Sequence, residues 1–146
     1  MAKKTPNTGL SLEHSGKTPP QALDLEEAVL GALMLDNDAL SNSIEILRAE
    51  SFYKEAHQKI FTAISTLFNS AQPVDILTVT NELRTTGDLK SVGGPVYVSS
   101  LTDRVASAAN IETHARIISQ KYIQRELIRI SSKITTDAYD ETSDVF

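Results

Sequence analysis

The chain has 146 residues, enough for one ordinary domain that removes roughly two-thirds of its unfolded surface from water and folds without staples. It contains no cysteine, which excludes disulfides and thiolate metal sites and suits a reducing cytoplasm. A formal net charge of -5 argues against the whole domain clamping nucleic acid through phosphate neutralisation, while a local basic stripe stays open.

Residues 1–21 carry Pro6, Pro19, Pro20, Gly9, Gly16 and many Ser, Thr and Asn without any period, and read as a disordered tail. Lys3 and Lys4 are followed by no apolar run, so no secretory signal is expected. The most apolar stretch is Leu25 to Leu35. Ala28, Val29, Leu30, Ala32, Leu33, Met34 and Leu35 occupy most of the circumference, which predicts a central helix covered by neighbours on several sides. Asp24 stands where an N-cap belongs, with Glu27 three residues on to complete a capping box. Gly31 costs about 1 kcal/mol of helix propensity relative to Ala, and the expected return is close approach of a second helix. The run is too short to span a bilayer, which needs ~20 apolar residues.

After a polar turn at Asp36-Asn37-Asp38, Leu40, Ile44 and Leu47 predict a second helix from about Asp38 to Leu47. Ala56, Ile60, Ala63, Ile64 and Leu67 recur on one face of a third, Glu55 to Phe68. Gln72-Pro73-Val74-Asp75 stops it. Asp75 caps a fourth helix lined by Ile76, Val79 and Leu83, and Gly87 sits where a left-handed C′ residue belongs. Thr78, Val79 and Thr80 also leave a strand reading of residues 74–80 open, though capping and spacing favour helix. Gly93-Gly94-Pro95 opens a short fifth helix, Val96 to Arg104. Asn110 then caps the longest, in which Ile111, Ala115, Ile118, Tyr122, Ile123, Leu127, Ile130, Ile134 and Ala138 run for nearly thirty residues without Gly or Pro. At 1.5 Å per residue it is about 40 Å long and outreaches a domain of this size, so part of it is expected either to project and meet partners or to fold back on the other helices. Val145 and Phe146 follow a turn at Asp140 to Asp144 as if a helical hairpin were cut before its second arm. The expected fold is all-α, with a tail over residues 1–21, a helical head over 22–106, and a long helix beginning a hairpin over 107–146.

Catalytic signatures are not found. Gly93-Gly94 is followed by no lysine that could reach phosphates, and His14, His57 and His114 never pair at metal-ligand spacing. Neither an enzyme nor a metal site is expected. His57 reads as a hydrogen-bonded packing residue and His114 as a surface one. Lys121, Arg125, Arg129 and Lys133 fall at i, i+4, i+8 and i+12, a basic stripe that either contacts phosphates or is a solvated face balanced by Glu126 and Asp137.

Several motifs carry a family likeness. Pro19-Pro20-Gln21 leads into Glu26-x-Ala28-Val29-Leu30-Gly31-Ala32. Phe52-Tyr53-x-x-Ala56-His57-Gln58-x-Ile60-Phe61, Pro73-Val74-Asp75-x-x-Thr78-Val79 and Leu89-x-x-Val92-Gly93-Gly94-x-x-Tyr97 follow in order. Ala108-Ala109-Asn110-Ile111-Glu112 with Ala115-Arg116-Ile117-Ile118 completes the set. From Pro19 to about Tyr139 the chain resembles the N-terminal domain of the bacterial replicative DNA helicase, the DnaB family. Ala106 departs from the Pro often seen before the long helix, and His114 replaces a common aromatic.

The resemblance implies an all-helical head and a helical hairpin that form a collar above a ring of ATPase domains. No ATPase domain is expected in these residues, so ATP and magnesium belong to that motor and unwinding does not belong to this chain. It also implies binding of the helicase-binding domain of primase, ring assembly with other helicase subunits, contact with a helicase loader, and DNA held through the parent ring. On matching positions the partner-binding residues are Tyr97, Ile128, Ile134 and Asp24. With one arm of the hairpin, a monomer or weak dimer is expected rather than a hexamer.

Overall fold

The structure, a computed structural model, describes residues 17–105, 108–142, 144 and 146. The tail up to residue 16 lies outside them, as do Ala106 and Val145. The described residues form helices and turns with no strand, so the segment from Val74 to Thr80 resolves in favour of helix. Seven α-helices follow one another: α1 Leu23–Leu35, α2 Asn37–Ser43, α3 Glu55–Asn69, α4 Ile76–Thr86, α5 Leu89–Val92, α6 Gly94–Thr102 and α7 Ile111–Tyr139. Short 3-10 turns precede α3 and α7 at Ala49–Ser51 and Ala108–Asn110.

Two compact units are distinguished. One spans Gln21–Tyr122, and the other joins Met1–Pro20 to Ile123–Phe146. The first is a helical head that takes in the opening turns of α7, where Ile111, Ala115 and Ile118 are buried.

Helix α1 is the centre of that head. Val29, Leu30, Ala32, Leu33 and Met34 are all buried, against α2, α3 and α6, while Leu35 turns outward. Gly31 marks the tightest crossing. A Cβ there would lie 2.1 Å from the backbone oxygen of Leu101 on α6, so the lost helix propensity is exchanged for backbone contact, as expected. The start of α1 differs from expectation. The helix begins at Leu23, so Asp24 lies inside its first turn, where helical backbone angles keep its side chain from capping. Ala22 occupies the cap position without a side-chain hydrogen bond, and the expected box with Glu27 is not formed. Glu27 instead reaches Arg104 at 3.6 Å.

Asp36 is the N-cap of α2, its Oδ1 accepting from the N–H groups of Asp38 and Ala39 at 2.8 and 3.3 Å. That helix ends at Ser43, short of Leu47, which is buried through the turn that follows. Helix α4 forms as its sequence dictates. Asp75 and Thr78 cap each other reciprocally, and Gly87 at φ 82° closes the helix in the left-handed region. Helix α6 starts at Gly94 with Pro95 in its first turn and stops at Thr102, and the single-turn α5 before it escaped the sequence reading.

Candidate partner-binding surfaces and a buried polar network

Three helices of the head meet in a polar cluster. Glu26 of α1 is 1% exposed and His57 of α3 is fully buried. The Oε2 atom of Glu26 accepts the N–H of Tyr53 at 2.8 Å, and Oε1 lies 2.8 Å from Nδ1 of His57. The carboxylate thus sits at the positive N-terminal end of α3, which favours a buried anion. The other imidazole nitrogen, Nε2, is 2.7 Å from the phenol of Tyr97 on α6. Lys54 donates to the same phenol at 3.2 Å and places its ammonium 4.5 Å from the ring centroid. The His57 and Tyr97 rings lie nearly parallel, and Phe52 closes the imidazole edge.

Oε1 of Glu26 accepts from Nδ1–H of His57, and Nε2 of the same ring shares a hydrogen bond with the Tyr97 hydroxyl, which also accepts from Lys54. In this arrangement every donor and acceptor of the cluster is satisfied. The order carboxylate, imidazole, hydroxyl is that of a catalytic triad, but here the hydroxyl is a phenol engaged by both imidazole and ammonium. Its contacts tie α1, α3 and α6 together. Gly93, at φ 111°, lets Tyr97 pack close, since a Cβ there would lie 2.8 Å from that of Tyr97.

His57 is the packing residue its sequence suggested. His114 is not the surface residue expected: it is half-buried, and its Nδ1 is buried without a hydrogen-bond partner, because one face of this stretch of α7 turns inward with Ile111, Ala115 and Ile118. Glu26 escaped the sequence reading as a functional group. Its signal was position: four and seven residues before Leu30 and Leu33, it shares their inward face.

The four partner-binding candidates are divided between the two units. Tyr97 is half-buried, its phenol turned into the network, and Asp24 is exposed on α1. Ile128 and Ile134, 40% and 63% exposed, lie in the second unit. Six residues apart, they point about 120° away from each other around α7. Ile134 instead shares a row with Ile123, Leu127 and Ile130, all exposed.

The basic stripe is largely engaged. Arg125 donates to the carbonyl of Pro20 at 2.8 Å, Arg129 pairs with Glu126 at 2.8 Å, and Lys133 pairs with Asp137 at 2.8 Å. Lys121 is half-buried. The hydrogen bond from Arg129, joined by the charges of Arg129 and Arg125, holds the Glu126 carboxyl below its ordinary range. Among the described residues no His, Cys, Asp or Glu cluster is suited to a metal, and no helix is long and apolar enough to cross a membrane.

Comparison with known proteins places this geometry. Residues 18–120 match the family of the DnaB-like helicase N terminal domain. The chain is 48% identical to the replicative DNA helicase DnaB of Rhodothermus marinus and 44% identical to that of Geobacillus stearothermophilus, over 92% and 90% of its length. It spans 14% and 29% of those relatives. Among solved structures, the N-terminal domain of DnaB helicase from Mycobacterium tuberculosis superposes with a TM-score of 0.81 at 36% identity, covering 84% of this chain and 89% of that one. An all-helical head with these motifs in this order, matched in sequence and in structure, makes the chain a member of the DnaB-like helicase N-terminal domain family.

Proposed function

We propose that this chain is a non-catalytic interaction module of a replicative helicase, binding primase and taking part in assembly of the helicase ring during DNA replication in the cytoplasm. The observation that carries the reading is the row Ile123, Leu127, Ile130 and Ile134, each 44% to 63% exposed on α7. A soluble helix that holds four large aliphatic side chains in water along one line is built to have them covered. ATP and magnesium belong to the motor domain of the parent protein, and no step of hydrolysis is assigned to these residues. A direct DNA contact through Lys121, Arg125, Arg129 and Lys133 is the weaker alternative, because three of the four are already bonded within the chain.

Calorimetric titration with the helicase-binding domain of primase, at low and physiological salt, tests the reading. Binding that persists at the higher salt and is lost in Leu127→Asp supports an apolar interface on this row of α7. Binding to DNA that falls steeply with salt, with none to primase, would replace it with the phosphate-contact reading.

A further inference from the structure

Pro20, the last residue before the head in sequence, is fastened to the outer half of α7. Arg125 donates to its carbonyl at 2.8 Å, and both residues belong to the second unit. Thr18 and Pro19 each precede a proline, which favours extended backbone at both. The anchor selects a side of the helix. At 3.6 residues per turn, Ile128, Ser132, Thr136 and Tyr139 lie within about 60° of Arg125, whereas the row Ile123, Leu127, Ile130 and Ile134 lies about 140° to 200° away. On Arg125's side Ile128 is 40% and Tyr139 66% exposed. Between them Thr136 turns its hydroxyl back to the Ser132 carbonyl at 2.9 Å, which leaves its methyl group to a neighbour. The result is a shallow face about 16 Å long with a large apolar side chain at each end.

We propose that the chain's own residues 10–12 cover this face, with Leu12 over Ser132 and Leu10 over Thr136, between Ile128 and Tyr139. Composition, spacing, reach and charge all fit. Leu10 and Leu12 are the only large aliphatic residues between Met1 and Leu23. Two residues apart in an extended segment, they share one side and stand about 6.6 Å apart, against about 6 Å between Ser132 and Thr136 along the helix. Leu12 is eight residues from Pro20, a reach of up to about 26 Å, and Ser132 lies only about 10 Å along α7 from Arg125. Beyond Leu10, Lys3 and Lys4 fall within reach of the end of α7. From Ile134 to Phe146 the sequence carries Asp137, Asp140, Glu141 and Asp144 and no Lys, Arg or His, and the helix terminus adds its own partial negative charge. This face lies across the helix from the apolar row and does not depend on what covers that row. A partner that needs Ile128 has to displace residues 10–12 first.

The full chain has no cysteine, so Ser11→Cys provides a single point for a nitroxide label. Paramagnetic broadening falls steeply with distance. The label is expected to erase most of the Ile128 δ-methyl signal and to weaken those of Ile130 and Ile134, on the opposite side, far less. Adding Leu10→Asp and Leu12→Asp is expected to restore the Ile128 signal while the circular dichroism stays unchanged. No broadening at Ile128, equal broadening at Ile134, or broadening that survives the two aspartates would overturn the proposal. Equal broadening of Ile128 in an isotope-labelled chain by a separate spin-labelled chain would also overturn it, and would assign the face to a second copy.

Discussion

The two parts of α7 have similar aliphatic composition and opposite fates. From Ile111 to Ile118 the isoleucines and Ala115 at helical spacing are buried in the head, whereas from Ile123 to Ile134 the same spacing leaves Ile123, Leu127, Ile130 and Ile134 in solvent. Periodicity is a property of the sequence, but burial depends on what lies opposite. The difference teaches that an apolar stripe records the need for a cover without saying whether the chain supplies it. Substitutions in the first region should be read in stability, and those in the second in association.

The largest stability effect is expected at Glu26. Glu26→Ala removes the acceptor of the Tyr53 N–H and leaves the buried His57 Nδ1–H without its partner, a loss of about 3 kcal/mol. Next comes Gly31→Ala. The methyl group meets the Leu101 carbonyl at 2.1 Å, and the overpacking exceeds the helix-propensity gain of about 1 kcal/mol, for a net loss of about 2 kcal/mol. Tyr97→Phe removes one hydroxyl from between His57 and Lys54. Lys54 can return to water, so the loss is about 1 kcal/mol. Chemical denaturation followed by circular dichroism orders these three. A Glu26→Ala protein as stable as Tyr97→Phe would mean that the network does not clamp the head.

Much of this head was legible in its sequence, and the limits are physical. Asp75, Thr78 and Gly87 act over four residues or fewer, so α4 could be read from local chemistry with both ends in place. Gly31 was legible as a close approach, though not which helix approached. The cap of α1 was misassigned because Asp24 is a good cap by type, while the helix has already begun at Leu23; Glu26 in its first turn meets His57, 31 residues away. That pairing leaves no local trace beyond a carboxylate on an apolar face. The pairing of Arg129 and Lys133 with Glu126 and Asp137 was visible in the spacing, whereas the contact of Arg125 with Pro20 spans 105 residues and was not.

On the second side of the comparison, Ile130→Asp is expected to shift stability by less than ~0.5 kcal/mol, because the side chain is already 44% exposed and supports no core contact. Any self-association should weaken in the same variant. Sedimentation of the unmodified chain is expected to give a monomer or a weak dimer that Ile130→Asp shifts to monomer. An unfolded variant would show that the row supports the fold itself, and a stable hexamer would overturn the expected monomer or weak dimer.

The smallest effect is a titration. Arg129 donates to Glu126 at 2.8 Å, and this bond, with the charges of Arg129 and Arg125, holds the Glu126 carboxyl below its ordinary value of 4.5. A lowered value means that the helical state favours the ionised carboxylate. The contribution is therefore complete above 4.5 and fades as pH falls through the folded value, which lies lower still. The pair is exposed to solvent and screened, so global stability should hardly register it. Carbon-13 shifts of the Glu126 carboxyl should show a midpoint below 4.5 that moves upward in Arg129→Gln. A midpoint unchanged by that substitution would assign the shift to Arg125. The carboxylate would then be held chiefly by the residue whose guanidinium also reaches Pro20.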